Sequence, residues 1–383
     1  MRMTVLFSLL AAPGLGALAA GAAEPAELVP VPKSTKRICQ LTGDTDRVTG
    51  KPTLSRTSTR FGVTATDLGG SFEHKGKLYF LFGDTWGRPG DRDVLAWTTS
   101  TDPEKITLSF HKDQDGKWLP LTVPDIKQGA FEVPSGGISI DGTIFVAHTT
   151  DHSTKKVMGR SVLASSRDDG RTFRLLYELS RDRFVNVSFV SSDVWVYIFG
   201  SGEYRKSSVY LARTRPGTLR EKSTLRYFSG RDVQGEPIWS VKESDAIALF
   251  RHDQVGEFSV AYLPPVKRFV MLYNSTDPRG IMMRSAPTPL GPWSDGTIIF
   301  DPWRDNGYAH FMHISSLSKK KGDMLSDINR EKEWGGEYGP YIMARYTTGE
   351  GNRCRMYFTM STWNPYQVVV MRSELEVKQA KNR

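Results

Sequence analysis

Two aspartates in residues 61–86 have the residue type and spacing for acid–base chemistry. The segment FGVTATDLGGSFEHKGKLYFLFGDTW predicts a β-hairpin, with TDLGGSFEH as one strand, Lys75 and Gly76 in the turn, and LYFLF as the second strand. The start of the first strand and the end of the second lie at the same end of a hairpin, so we expect Asp67 and Asp84 to be close together. Two neighbouring carboxyl groups cannot both ionise freely. One can then act as a general acid and the other as a base or nucleophile.

A structural role is the alternative for Asp84. An aspartate that follows a strand, as in GDT, commonly starts an Asx turn. The predicted pairing with Asp67 favours the chemical role, because aspartate is depleted in strands and costly to bury unpaired.

The elements that would position these carboxylates recur along the chain. A hairpin followed by a third strand appears five times, and the copies begin near Asp67, Pro134, Val187, Phe258 and Tyr338. Long amphipathic helical patterns are absent, which indicates an all-β protein. A β-sandwich would not repeat one strand order five times, so we predict a five-bladed β-propeller.

Two segments stand out from these repeats. Residues 166–173, SRDDGRTF, resemble the Asp box, S-x-D-x-G-x-T-W/F, a hairpin of sialidase-type propellers and several other β folds. We expect its Asp168 and Gly170 to stabilise a turn between outer strands rather than to act in catalysis. The longest interruption, residues 301–336, is expected to form a large loop or a short helix beside the site.

Further candidate residues follow from propeller geometry, because inner strands start, and second strands end, on the ligand-binding face. This rule selects a set of substrate contacts: Trp86, Glu132, His148, Glu257, Asn274, Tyr338, Trp363 and Asn364. It also points to Asp182 or Asn186, Glu203 and Glu337. Carboxylates, flat aromatic rings and amides are the groups that a sugar site needs. For Glu132 and Glu257, holding neighbouring loops is the alternative role.

Other chemistries lack their motifs. The chain has no G-x-S-x-G elbow, H-E-x-x-H pair, Walker loop or dinucleotide fingerprint. His310 and His313 have no acidic partner at a convincing spacing and are interpreted as loop packing. We therefore predict no cofactor and no catalytic metal, and leave a structural calcium on the propeller axis open.

Composition and the first residues indicate an exported globular protein. The 383 residues are 39% hydrophobic and 24% charged, and the net charge of +9 is scattered. Basic motifs with interleaved aromatics are absent, so we expect a polysaccharide partner and no nucleic acid. Residues 1–23 read as a signal peptide, and no later stretch could span a membrane. This predicts a secreted, periplasmic or cell-envelope location.

Domain bounds follow from these assignments. Residues 24–60 are predicted to be a linker with a candidate closing strand at Arg37–Leu41, residues 61–376 the propeller, and residues 377–383 a charged tail. In an oxidising compartment we expect the two cysteines, Cys39 and Cys354, to form a disulfide; two unrelated buried thiols are the alternative.

Several motifs in order resemble a known family. They are TATDLGGSF, LYFLFGDTW, EVPSGGISIDG, GEFSVAY, YGPYIMARYT and MSTWNPYQVVVMRSE, spread over residues 61–375. They resemble a bacterial propeller family, long catalogued as a domain of unknown function and later assigned endo-D-arabinanase activity as glycoside hydrolase family 183. The resemblance implies an exported hydrolase that cuts within the D-arabinan of mycobacterial arabinogalactan and lipoarabinomannan. It also implies that Asp67 and Asp84 are the essential acids.

Two alternatives remain beside this reading. The VPSGG segment and the Lys-rich insertion at residues 319–333 depart from the family pattern, so a different furanoside polymer is one alternative. A non-catalytic, cell-surface carbohydrate-binding propeller is the other. A sialidase is less well supported, because no arginine falls at the start of an inner strand.

Overall fold

The computed structural model describes residues 27–155, 157–192, 194–320 and 322–378. The predicted signal peptide and most of the predicted charged tail lie outside these residues. The first described elements are β1 (Glu27–Pro30), β2 (Lys36–Gln40) and a short helix α1 (Thr57–Phe61). A chain of five antiparallel sheets follows.

Each sheet is one blade of a propeller. Blade 1 contains β3 (Ala65–His74), β4 (Lys77–Trp86), β5 (Arg92–Thr98) and β6 (Ser109–Phe110). Blade 2 contains β7 (Pro134–Ile140), β8 (Thr143–Thr150), β9 (Arg160–Ser166) and β10 (Arg174–Ser180). Blade 3 contains β11 (Asn186–Ser191), β12 (Val196–Ser201), β13 (Val209–Thr214), β14 (Arg226–Arg231) and β15 (Pro237–Ser240).

The remaining blades complete the circle. Blade 4 contains β16 (Val255–Leu263), β17 (Arg268–Thr276), β18 (Arg279–Ala286) and β19 (Thr297–Phe300). Blade 5 contains β20 (Glu337–Ile342), β21 (Thr348–Glu350), β22 (Arg353–Thr362) and β23 (Gln367–Lys378), together with β1 and β2. Short 3₁₀ turns cover Pro216–Thr218, Lys222–Thr224, Glu243–Asp245, Pro264–Val266 and Ala344–Tyr346.

The first strands of the five blades surround a central axis. Strand β3 contacts β7, β7 contacts β11, β11 contacts β16, β16 contacts β20, and β20 contacts β3. These strands begin within three residues of the five predicted repeat starts. The predicted five-bladed β-propeller is therefore confirmed.

The core lies between neighbouring blades, because both faces of each sheet are covered. In β4, Phe80 and Phe82 pack against residues of blade 5, and the alternating Tyr79 and Leu81 pack against blade 2. Alternate side chains of a strand point to opposite faces. A continuous apolar run such as LYFLF is therefore what an inner position of a propeller blade requires.

The N-terminal strands join the C-terminal blade through backbone pairing. Strands β1 and β2 both pair with β23, on the edge opposite β22. Cys39 lies opposite Val370, and Cys354 lies opposite Leu375 across the other edge. Two strand spacings, about 9.6 Å, and a shift along β23 thus separate the thiols, whereas a disulfide needs Cα atoms within about 7 Å.

The expected disulfide is therefore wrong, and both cysteines are free thiols. Burial raises the pKa of Cys39 to about 11 and that of Cys354 to about 12, which keeps both thiols protonated at neutral pH.

The Asp box forms a turn at the outer part of blade 2. The Asp168 carboxylate accepts hydrogen bonds from the backbone N–H and the hydroxyl of Thr172, at 3.0 and 2.7 Å. Gly170 takes φ +91°, a left-handed conformation that suits glycine. The turn joins β9 to β10 at the face opposite the inner-strand starts, which agrees with a structural role.

Candidate active site

A cavity of about 380 Å³ opens at the end of the axis where the inner strands begin. Inner strands start and second strands end at this face, so the cavity collects residues from all five blades. Its walls are formed by Asp67, Leu68, Asp84, Phe131, Val133, Ser135, Met158, Asn186, Tyr204, Arg205, Glu257, Gly336, Glu337, Tyr338, Tyr341 and Trp363. We call this end of the propeller the site face.

Irregular strand pairing brings the two aspartates to the cavity. The register of β3 against β4 shifts on both sides of the Asp67–Leu68 pair, and that of β4 against β5 shifts between Phe82 and Thr85. Leu68 and Asp84 take positive φ values of 63° and 37°, which are uncommon inside strands. Bulges of this kind redirect side chains and are frequent beside active sites.

Asp67 is almost completely buried and is held by phenol groups. The Tyr338 hydroxyl donates a 2.9 Å hydrogen bond to Oδ2 of Asp67, whereas Oδ1 has no partner in the described structure. Burial raises the pKa of Asp67 to about 7, and the hydroxyls of Tyr338 and Tyr366 oppose this rise. Oδ1 of Asp67 is thus a buried acceptor without a partner among the described residues, which is costly for an ionised carboxylate.

Asp84 is half-buried, so it is more exposed than Asp67. Its Oδ1 accepts one long hydrogen bond, 3.3 Å, from the backbone N–H of Phe131. Burial, followed by repulsion from Asp67, raises the pKa of Asp84 to about 8. The pair therefore favours one proton and one negative charge near neutral pH.

The other acids of the cavity have cationic partners. Glu257 accepts hydrogen bonds from Tyr204 at 3.0 Å and from Arg205 at 3.1 Å. Glu337 forms a two-pronged pair with Arg279, at 3.1 and 3.0 Å. Among the described residues, no lysine or arginine pairs with Asp67 or Asp84. Asp67 and Asp84 are therefore the acids of the cavity wall that lack a cationic partner among the described residues.

The structure places three of the eight predicted substrate contacts in the cavity wall: Glu257, Tyr338 and Trp363. Trp363 is 47% exposed, and Arg330 covers part of its ring at 4.2 Å. Asn186 and Glu337, selected by the same rule, also line the cavity.

Two predicted contacts at the rim do not line the cavity. Trp86 lies outside and stacks on Tyr366, with ring centres 5.3 Å apart. Asn364 is fully buried, and its side-chain amide donates to the carbonyl oxygens of Arg330 and Glu333. Asn364 is therefore not a sugar contact as predicted, because its amide already donates its hydrogen bonds to the 301–336 insertion.

Three further predicted contacts lie behind the cavity wall. The Glu132 carboxylate accepts the backbone N–H of His152 at 2.9 Å, which is the alternative loop-holding role. His148 is completely buried and lies 2.8 Å from the carboxylate of Asp93. Asn274 is 4% exposed and packs against Gly256. The structure thus corrects all three predicted substrate contacts.

Asp182 and Glu203 lie on the surface, beside Arg183 and Lys206 respectively.

Sequence reasoning missed the loop that follows β12. Tyr204 and Arg205 reach the cavity from this loop, and Arg205 takes φ +56°. The rule of inner-strand starts excludes them, because they come from the connection between the second and third strands of blade 3. The adjacent tyrosine and arginine in GEYRKSS were the available signal.

Family membership rests on most of the chain. The profile of the family described as Domain of unknown function (DUF4185) matches residues 53–372, which include β3 to β22 and every residue that lines the cavity. The chain belongs to the DUF4185 family. This family assignment fixes no substrate by itself.

Two solved structures illustrate what this DUF4185 member is similar to. A crystal structure of a protein from Bacteroides ovatus superposes with a TM-score of 0.54 at 12% identity, over 82% of this chain and 87% of that one. The α-L-arabinofuranosidase PaAbf62A from Podospora anserina has a TM-score of 0.45 at 10% identity, over 90% and 98%. Similarity at this level carries no argument about chemistry.

A curated relative is also similar in sequence. Notoamide biosynthesis cluster protein J from Aspergillus sp. (strain MF297-2) is 26% identical over 297 residues, which cover 68% of this chain and 78% of that protein.

The described residues of this DUF4185 chain contain neither a metal-binding cluster nor a membrane-spanning helix. No group of three or more histidine, cysteine, aspartate or glutamate side chains there has an arrangement suited to a metal ion. No helix there has the length and apolar character needed to cross a bilayer.

Proposed function

We propose that this protein is a glycoside hydrolase that cleaves within arabinan-type furanoside polymers, with Asp67 and Asp84 as its catalytic pair. One observation carries the proposal: a buried carboxyl group, Asp67, and a half-buried one, Asp84, both line the cavity without cationic partners among the described residues, and both have raised pKa values. Glycosidases of most families need such a pair, one protonated and one ionised.

The hydrogen bonds favour Asp84 as the acid and Asp67 as the ionised partner. Tyr338 donates its hydroxyl to Asp67, which stabilises the negative charge there. Asp84 receives only the long bond from Phe131, which stabilises a negative charge less. Asp84 therefore holds the shared proton in the neutral pH range.

The reaction follows from this assignment. Asp84 donates its proton to the glycosidic oxygen as the bond from that oxygen to the anomeric carbon breaks. Asp67 either attacks the anomeric carbon or removes a proton from an attacking water. In the first case water later cleaves the glycosyl ester, and Asp84 accepts the proton of that water. The configuration of the first-formed product distinguishes retention from inversion.

Three features support a sugar polymer as substrate. The exposed ring of Trp363 offers a flat apolar surface beside the acids. Arg205 and Asn186 supply hydrogen-bond donors for hydroxyl groups. The motifs around Asp67 and Asp84 resemble those of the endo-D-arabinanases, which favours D-arabinan among the furanoside polymers.

The test is product release from a panel of glycans: mycobacterial arabinogalactan, lipoarabinomannan, plant L-arabinan and sialosides. We expect a ladder of arabinofuranosyl oligosaccharides from the first two, seen by anion-exchange chromatography. A ladder from plant L-arabinan alone would move the substrate to another furanoside. Binding to a glycan without any product would favour the non-catalytic carbohydrate-binding alternative.

A further inference from the structure

The insertion at residues 301–336 lies on the site face and carries exposed tryptophans. Strand β19 ends at this face and β20 begins there, so both ends of the insertion are at the cavity mouth. Trp303 and Trp334 are 48% and 40% exposed. Exposed aromatic groups that lie together commonly mark a binding surface.

The two exposed tryptophans pack against a buried tyrosine, Tyr308, in tilted and edge-on arrangements. The ring of Tyr308 lies 4.5 Å from that of Trp303 and 5.3 Å from that of Trp334, and the two indoles are 6.0 Å apart. We refer to Trp303, Tyr308 and Trp334 as the tryptophan platform.

The platform is continuous with the cavity wall. Arg279 donates a 2.6 Å hydrogen bond to the hydroxyl of Tyr308 and also pairs with the cavity residue Glu337. Trp334 precedes the cavity residue Gly336 by two positions, a span of at most about 7 Å. A chain that leaves the cavity on this side therefore meets the platform next.

The platform is held in place by the same contacts that fix Trp363. The Trp363 indole N–H donates to the carboxylate of Glu333 at 2.9 Å, and its backbone N–H donates to the carbonyl of Gly336 at 2.8 Å. The buried amide of Asn364 bonds to the carbonyl of Glu333, next to Trp334. The sugar-facing surfaces are thus organised before binding, which lowers the entropic cost of association.

We propose that the tryptophan platform is a second sugar-binding site, which holds a stretch of the furanoside polymer that extends out of the cavity. This inference rests on the proposed function, because it takes its ligand class from it. The exposed surface of Trp334, and the part of Trp303 that Lys320 and Tyr308 leave uncovered, pack against the apolar C–H faces of sugar rings. The guanidinium of Arg279, which is half exposed, and the ammonium of Lys320, which lies over the Trp303 ring, donate to sugar hydroxyls.

A site beyond the cavity makes recognition depend on chain length. A polymer contacts both the cavity and the platform, whereas a short oligosaccharide fills only the cavity. The platform therefore favours attack within long chains.

The test compares the Trp303→Ala/Trp334→Ala double variant with a matched control, Tyr262→Ala. Tyr262 is a 39% exposed aromatic residue near the opposite end of β16, away from the site face. On mycobacterial arabinogalactan we expect kcat/KM of the double variant to fall about tenfold or more. On an arabinofuranosyl disaccharide glycoside we expect less than a twofold change, and the control should match wild type on both.

A second measurement separates this inference from the proposed function. Retardation in native gels that contain arabinogalactan reports binding without hydrolysis, and we expect the double variant to lose most of the retardation seen with wild type and with Tyr262→Ala. Gel retardation tests polymer binding by the platform even if the wild-type protein releases no product. Retardation of the double variant equal to that of the control, or none for wild type, would overturn the platform as a polymer site.

Discussion

At the scale of single residues, Asp67 and Asp84 differ from the other acids of the cavity in lacking a cation. Glu257 and Glu337 each form an ion pair with an arginine, Arg205 and Arg279 respectively. Burying the two aspartates costs stability when they ionise, and this cost is the source of their raised pKa values.

Replacing Asp84 with asparagine should stabilise the fold at pH 8. The folded pKa of Asp84, about 8, lies above the unfolded value of about 4, so the native state binds more protons between these values and loses stability as the pH rises through them. Asparagine cannot ionise, and we expect a gain of about 1–3 kcal/mol at pH 8 and little change at pH 4. Urea unfolding at the two pH values measures this difference. If the asparagine variant were less stable than wild type at pH 8, the charge of Asp84 would not be what destabilises the fold.

The pH dependence of turnover depends on the protonation states of the same two aspartates. Asp67 must be ionised and Asp84 protonated, so kcat should fall at acidic pH as Asp67 gains a proton and at alkaline pH as Asp84 loses one. We expect a bell-shaped profile with its maximum near pH 7–8, between the apparent pKa values of the pair. A profile flat from pH 5 to pH 9 would exclude this pair as the acid and base.

His148 illustrates a residue that sequence reasoning placed in the correct region with the wrong role. Its Nε2 lies 2.8 Å from the carboxylate of Asp93, and Asp93 is close enough to Asp84 for its charge to raise the pKa of that residue. The Asp93–His148 pair therefore lies behind Asp84. We expect His148 to act as a positioning residue rather than as a sugar contact.

The His148→Gln variant should therefore lower kcat roughly tenfold to hundredfold with little change in KM, because small displacements of an acid reduce rate more than binding. The matched control is His74→Gln, which removes a buried histidine paired with Asp169 at the opposite end of β3. Equal effects of the two variants on kcat, at matched melting temperature, would argue against a positioning role.

At the scale of elements, hairpin geometry predicted that Asp67 and Asp84 would be close but not how they point. Asp67 lies opposite Gly83 in the strand register. The bulges at Leu68 and Asp84 change the direction of the two carboxylates. Such bulges have no clear sequence signature, because leucine rarely takes positive φ and aspartate takes it in ordinary turns too, as at Asp141 and Asp169. The roles of Asn364 and Tyr204 depend on long loops whose paths no strand pattern specifies.

Trp363 provides the test for the cavity wall. Because its ring lines the cavity and is 47% exposed, Trp363→Ala should raise KM about tenfold and change the melting temperature by only a few degrees. Trp86→Ala is the control, since Trp86 stacks on Tyr366 outside the cavity and should leave KM unchanged. A large loss of stability at constant KM would instead assign Trp363 to blade packing.

At the scale of the whole molecule, the fold followed from repetition. The number of blades and the order of strands could be predicted from five similar hairpins, because each inner strand needs two covered faces. The way in which the propeller closes could not be predicted from the two cysteines, because Cys39 and Cys354 lie in strands that pair with opposite edges of β23. Backbone pairing of β1 and β2 with β23 ties the chain ends together instead.

The most direct test of the central claim is turnover of the Asp67→Asn and Asp84→Asn variants on the best glycan, with Glu257→Gln as the matched control. Each asparagine variant should keep the fold and lose about a thousandfold or more in kcat, since acid–base or covalent catalysis is removed. Glu257→Gln should keep kcat within about tenfold, because Glu257 is already paired with Arg205. Near-normal turnover of both asparagine variants, with loss of turnover in Glu257→Gln, would contradict the account and place the catalytic acid in blade 4.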